Sequence, residues 1–369
     1  MKTSRTFSIV FCFFFMGVLT FSACGTSKKH TLHDVPPHAP SVPRKILCDG
    51  AGAVRLIVYL GCADRITGVE QIEIDHSQRV PYRIAVPVLR ELPVTGESHG
   101  RLNIEAILSL KEKPEQIFRS KNTNSGIDSE TLQSRTGLPV TDFQYGDLGK
   151  NRETLFDSLR LLGKELGVPE RAEEVIAFIE KNIQEIHSRC PNLPEDKIPS
   201  VFLGGLSFRG THGFASTSSL YEPFEWAKAR NSVSSENSMP GEQMMVTREQ
   251  ILAWNPDFLF LDLATADVQG VNGIEELRTD PIYRELKAVK NGNVFALYPN
   301  SSYQANFEAR LINAWFIAKT LYPKEFADVE INSKAREIFQ FMTGVSVLDS
   351  ASEFLREQAF QPIQLETRP

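Results

Sequence analysis

Residues Glu170 to Cys190, ERAEEVIAFIEKNIQEIHSRC, constrain the fold more than any other stretch of this chain. Ala172, Val175, Ile176, Ile179, Ile183 and Ile186 recur at intervals of three and four, the period of one helix face. A Gly167-Val168-Pro169 corner precedes the stretch and Pro191 and Pro194 follow it. Pro169 suits a first helical turn, and Glu170, Glu173 and Glu174 stand where the helix dipole favours negative charge. His187 and Arg189 stand at the opposite, electronegative end. At about 1.5 Å per residue the stretch makes a rod of roughly 30 Å, the width of a small domain. Strand-like and helix-like segments alternate on both sides of it. The pattern predicts two α/β lobes with parallel, Rossmann-like sheets, bridged by one long helix, with a ligand cleft between the lobes.

The N-terminus belongs to no lobe. Lys2 and Arg5 precede an apolar run from Phe7 to Phe21 that ends in Ser22 and Ala23 before Cys24, the layout of an export signal. Residues 25–43 hold four prolines and no apolar periodicity, as a flexible tether would. The expected organisation is a signal over residues 1–23, a tether over 24–44, a first lobe over 45–168, the bridging helix over 169–190 and a second lobe over 191–369. His30, His33 and His38 are too loosely spaced in the tether to read as a metal site. The whole chain carries a formal charge of −6 with no basic patch, which argues against nucleic acid as a partner. Cys48, Cys62 and Cys190 show no metal-ligand spacing; one disulfide plus a thiol, or three buried thiols, both fit.

Polar, glycine-rich loops recur at the predicted carboxyl ends of strands, where open α/β sheets bind ligands. KILCDGAGAVRLIVYLG (45–61) gives a strand, the turn Asp49-Gly50-Ala51-Gly52 and a helix. It lacks the third glycine of a dinucleotide fingerprint. Arg65 to Val69 reads as the next strand. VLRELPVTGESHG (88–100) runs a strand into a loop bearing His99, and KPEQIF is followed by the polar run from Arg119 to Gly126. In the second half, VFLGGLSFRGTHGF (201–214) brings Ser207, Arg209, Thr211 and His212 together behind two glycines. NVFALYP (293–299) empties into a loop bearing Tyr303. Phe307–Leu321 reads as an amphipathic helix and Leu348–Phe360 as a terminal one. Trp226 can pack or stack on a ligand.

Four segments in order, AVRLIVYLGCADRITGVE, LNIEAILSLKEKPEQIF, VTREQILAWNPDFLFLD and LKAVKNGNVFALYPN, resemble the solute-binding proteins of ABC importers for iron-siderophore complexes and vitamin B12. The resemblance runs from about Lys45 to Val347. Ser22-Ala23-Cys24 is similar to a lipobox, although Phe21 stands where that pattern usually has Leu. It implies a lipid-anchored, extracytoplasmic monomer, acylated at Cys24, that passes a metal chelate to a permease and its ATPase. No P-loop, G-x-S-x-G or H-E-x-x-H competes, so no enzyme and no cofactor are expected. The ligand candidates are His99 and Arg119 from the first lobe and Arg209, His212 and Tyr303 from the second. Arginines suit the anionic oxygens of a ferric siderophore-type complex, with haem or a corrinoid as related ligands. The same loops could instead hold an oxyanion such as molybdate or tungstate. Vitamin B12-binding members present a glutamate to permease arginines from an Asn-Leu-Glu and a Ser-Arg-Glu-Gln helix start. Asn103-Ile104-Glu105 and Thr247-Arg248-Glu249-Gln250 match these, which gives Glu105 and Glu249 that role.

Overall fold

The computed structural model describes residues 42–74, 79–98, 100–121, 126–207, 210, 212–233, 243–264 and 272–365. The signal, Cys24 and the tether up to residue 41, together with His99, Arg209 and Thr211, lie outside the described residues.

The bridging helix spans Pro169–Arg189, with Pro169 in its first turn and Cys190 as its C-cap. All six apolar residues that define its periodicity are buried. It touches both halves of the molecule, and Arg171 alone reaches both, donating to the Phe341 carbonyl of the second as well. Near the start, Arg171 Nε donates to the Tyr59 carbonyl at 3.0 Å. Near the end, Arg189 pairs with Asp328 at 2.6 Å. At mid-length Asn182 accepts from the Trp315 indole at 2.8 Å, so the helix is fixed by polar contacts as well as by apolar burial.

The first lobe contains β1 (Ile46–Asp49), β2 (Val69–Glu70), β3 (Val94–Glu97), β4 (Arg101–Leu102), β5 (Gln116–Ser120) and β6 (Val140–Phe143). One parallel sheet has the order β1-β5-β6, and a second, smaller sheet has the order β2-β3-β4. Arg65–Val69 is less of a strand than its composition predicts. Residues Ala63–Arg65 form a 3-10 turn, only Ile66 bridges to Ile46, and the ladder begins at Val69.

The second lobe contains β7 (Ser200–Gly204), β8 (Ser216–Ser218), β9 (Arg230–Asn231), β10 (Gln243–Met245), β11 (Phe258–Asp262) and β12 (Val294–Leu297). Its parallel sheet has the order β12-β11-β7-β9, and β8 and β10 form a separate antiparallel ribbon. The central strands are buried along almost their whole length, as expected of a parallel sheet covered on both faces.

Helix Phe307–Leu321 departs from its amphipathic reading. It buries residues all around its circumference, including Glu308, Asn313 and Trp315. It packs against the bridging helix and against helix Ile331–Thr343. Its polar residues face internal partners rather than water, so their polarity misleads. The expected terminal helix is broken: Leu348–Ser350 is a 3-10 turn and Glu353–Gln358 is the α-helix, restarted by the Ser352 cap on the Leu355 amide.

Candidate functional site

The cleft edge of the first lobe begins at Asp49-Gly50-Ala51-Gly52. Gly50 and Gly52 both have φ of 85°, a conformation open to glycine. A Cβ on Gly52 would lie 2.2 Å from the Tyr145 ring, so glycine is also required by close packing. Tyr145 thus covers the turn that the sequence suggested would face a ligand. Its ring stacks on Phe307 at 4.9 Å between centroids, and its hydroxyl donates to the Ala305 carbonyl at 2.8 Å.

Arg55, on helix Ala53–Tyr59, is fully buried beside it. Its guanidinium donates to the Tyr145 hydroxyl at 2.6 Å, to the Ser302 carbonyl at 2.7 Å and to Asn306 Oδ1 at 2.8 Å. It also lies over the Tyr82 ring at 4.7 Å. This one cation therefore ties the loop after β12, which belongs to the second lobe, onto the first. Tyr59 adds a hydrogen bond to the buried Glu308 carboxyl.

At the tip of that loop Tyr303 reaches further into the first lobe. Tyr303 has φ of 52° and Gln304 φ of 100°, both unusual for residues with a Cβ. The loop is closed by Ser302 N donating to Gln304 O at 2.9 Å and by Asn306 N donating to Asn300 O at 3.0 Å. The Tyr303 hydroxyl donates to Glu70 Oε2 at 2.9 Å, while Glu70 Oε1 accepts from Gly100 N at 2.7 Å. Burial, reinforced by the Asp49 charge, pushes the Glu70 carboxyl up to about 8. A further tie between the lobes runs from Arg79 Nη1 to the Ala264 carbonyl at 3.3 Å.

The remaining strand ends are polar and internally matched. Arg119, at the end of β5, lies 2.6 Å from Asp49 Oδ2 at the end of β1, and both are buried. The sequence places Arg119 among the ligand candidates; in the structure its charge is engaged by the adjoining strand. Burial outweighs the pull of Arg119 and raises Asp49 to about 6. In the second lobe Asp262, the last residue of β11, accepts from Ala264 N at 2.7 Å and Asn300 N at 2.9 Å. Burial raises it to about 7. Arg310 donates to Asn300 Oδ1 at 3.0 Å and pairs with Glu222 at 2.6 Å.

His212 is partly buried in the segment after β7, where the Phe214 amide donates to Glu276 at 2.9 Å. Trp226 is buried, which settles it as packing. The structure thus brings Arg119 and Tyr303 to strand ends on opposite lobes, but each is occupied by a carboxylate. The sequence reading missed Arg55, Tyr145, Glu70 and Asp262. Glu70 and Asp262 are the last residues of parallel strands and could have been found by that position alone. Arg55 sits in an apolar run and carried no such signal.

Among the described residues no group of three or more His, Cys, Asp or Glu is placed to hold a metal ion. Cys48, Cys62 and Cys190 are free, buried thiols. A polar depression of about 500 Å³, lined by Ser129, Glu130, Gln133 and Asp142, is built from the first lobe alone, against the edge strand β6. No helix among the described residues is long and apolar enough to cross a membrane.

Two lobes built on parallel sheets and joined by one bridging helix make the architecture, and the comparisons place it in a family. The family model described as periplasmic binding protein matches residues 50–300, so the chain belongs to that family, of the type serving iron-chelate and vitamin B12 importers. A molybdate-binding protein of Haemophilus influenzae is 22% identical over 272 residues, covering 69% of this chain and 73% of that one. An Fe(3+)-citrate-binding protein of Bacillus subtilis is 27% identical over 197 residues, covering 52% and 56%. The fold matches an ABC transporter solute-binding protein of Sulfurospirillum deleyianum with a TM-score of 0.63 at 19% identity, over 85% of this chain and 94% of that chain. Membership implies an extracytoplasmic protein that works with an ABC permease and carries a small molecule rather than transforming it.

Proposed function

We propose that this protein captures a metal chelate in the interlobe cleft, at the end of a lipid tether, and delivers it to its permease. The observation that carries the choice of ligand is that the charged side chains at the described strand ends are already matched to one another. Arg119 and Arg310 are paired with Asp49 and Glu222, and burial pushes the Glu70 and Asp262 carboxyls up to about 8 and about 7. A small, fully charged oxyanion gains little from such a wall. A larger chelate, presenting several carbonyl, hydroxyl or carboxylate groups, can draw on many separate contacts, with His99, Arg209 and His212 among them and Tyr303 once its hydroxyl turns from Glu70 to the ligand. The oxyanion reading keeps one support, the similarity to a molybdate-binding protein over most of both chains.

Cys24 is the acylated anchor in this reading, followed by residues 24–44 as the tether. Glu105 and Glu249 are the permease contacts. Both are exposed in the first turn of a helix whose N-cap is satisfied, Asn103 accepting from Ala106 N at 3.1 Å and Thr247 from Gln250 N at 3.2 Å. The test uses two variants in the producing cell. Cys24→Ser should release the protein from washed membranes with solute binding intact. Glu105→Arg with Glu249→Arg should abolish uptake while solute affinity stays within about twofold, roughly 0.4 kcal/mol. Retention of the first variant on membranes would remove the anchor from the account, and normal uptake by the second would remove the docking sites.

A further inference from the structure

The two helices that carry Glu105 and Glu249 are counterparts. Helix Ile104–Ser109 precedes β5, which pairs in parallel with β1, the first strand of its lobe. Helix Arg248–Trp254 precedes β11, which pairs in parallel with β7, the first strand of the other lobe. Each begins at a side-chain N-cap, and counting from that cap the residues correspond: Glu105 with Glu249, Ile107 with Ile251, Leu108 with Leu252.

Burial follows the same correspondence. Ile107 and Ile251 are 1% and 0% exposed and anchor their helices to the lobe core. The next residue is a leucine in both, and it is left in water, Leu108 at 50% and Leu252 at 36%. On a helix, residues three apart are neighbours, so Leu108 stands beside Glu105 and Leu252 beside Glu249. One exposed leucine needs no explanation. The same leucine, exposed at the same distance from an N-cap and beside the same exposed carboxylate in both lobes, does. A helix leading into a parallel strand runs antiparallel to it, so its N-terminus lies at the sheet's carboxyl end. Both pairs therefore sit on the cleft-side rim, one on each lobe, where a single surface laid across the cleft mouth meets both.

We propose that Glu105 with Leu108 and Glu249 with Leu252 form a paired docking surface for a two-fold or pseudo-two-fold permease, each half offering a cationic side chain beside an apolar pocket. The proposal rests on the permease-docking reading above and adds the leucines as the contacts that hold the complex once the charges have oriented it. Charge pairs at an exposed rim steer association and weaken with salt, whereas burial of an apolar side chain does not. The chain's net charge of −6 suits a cationic partner surface.

The test measures affinity of the full mature chain for its permease and ATPase in nanodiscs, at low and at high salt. Leu108→Asn with Leu252→Asn should weaken binding about 100-fold at both salt concentrations, about tenfold for each leucine taken singly, or about 1.4 kcal/mol apiece. Glu105→Gln with Glu249→Gln should weaken it chiefly at low salt. Circular dichroism should show both doubles folded, because all four side chains are exposed. If the leucine double binds like the parent while the glutamate double is weakened, this proposal is overturned and the docking reading stands. If neither double is weakened, the docking reading itself has failed. A large loss from one leucine and none from the other would refute the paired arrangement.

Discussion

The two lobes share a plan and use it differently. Each places parallel strands with polar last residues along the cleft and a capped helix before its second central strand. In the first lobe the ends of β1 and β5 are used within the lobe, Arg119 being paired with Asp49 in register, and only Glu70 at the end of β2 is met from the other side. The second lobe sends its last strand into a loop, Tyr298 to Asn306, that crosses to the first. There Arg55 and Tyr145 bind its carbonyls, and Tyr303 reaches Glu70. The asymmetry teaches that the connection between lobes is not only the bridging helix. One lobe supplies buried side-chain donors, the other mainly backbone acceptors and a phenol.

The sharpest way to break this comparison is to remove the donor hub. Arg55→Ala would strand the Ser302 carbonyl, Asn306 Oδ1 and the Tyr145 hydroxyl without their donor. It should cost on the order of 3–5 kcal/mol in urea unfolding, the range for breaking a buried charged contact. A loss below about 1 kcal/mol would mean that the lobes are held elsewhere.

A smaller effect should appear with pH. Glu70, Asp262 and Asp49 all have folded values above those of an unfolded chain, about 8, 7 and 6. Acids shifted upward bind protons more tightly when folded, so their contribution is full below about pH 4 and fades as pH rises through each folded value. These groups therefore favour the folded state at pH 5 over pH 8.5. At about 1.4 kcal/mol per unit, less what water penetration screens, Glu70 alone should account for about 2 kcal/mol. Glu70→Gln should flatten that part of the stability profile. An unchanged slope between pH 5 and 8.5 in the variant would assign the proton to another group.

The smallest effect distinguishes the two docking helices. Thr247 is part of a capping box in which Gln250 also returns a bond to the Thr247 amide, whereas Asn103 caps alone. Each cap should contribute about 1 kcal/mol. Thr247→Ala should cost slightly more than Asn103→Ala, because the Gln250 side chain then loses its reciprocal partner. Equal losses, read by chemical denaturation, would reduce the two lobes to the same local design.

What the sequence revealed follows from how many residues repeat a signal. The bridging helix was legible because six apolar residues agree on one face and proline marks both boundaries. Phe258–Asp262 was legible as a strand because a continuous apolar run of that length between a proline and turn residues has few alternatives. The hairpin around Tyr303 was visible only as a polar loop, because its shape depends on Arg55, about 250 residues earlier, and nothing local announces that partner. Arg119 misled for the same reason: an arginine at a strand end looks available until its neighbour across the ladder is known. The polar residues of Phe307–Leu321 suggested a watery face because Glu308 and Asn313 find their partners on Tyr59 and Tyr298, remote in sequence or outside the helix.

The central claim is that the cleft takes a metal chelate. Isothermal titration of the mature chain with ferric citrate, a ferric hydroxamate, a ferric catecholate, haem, cobalamin and molybdate, in one buffer near neutral pH, tests it directly. The account predicts that one of the metal chelates binds at one per chain with a dissociation constant of about 1 μM or tighter, roughly −8 kcal/mol, and that molybdate gives no saturable heat. Saturable binding of molybdate with none of the chelates would contradict it and establish the oxyanion reading in its place.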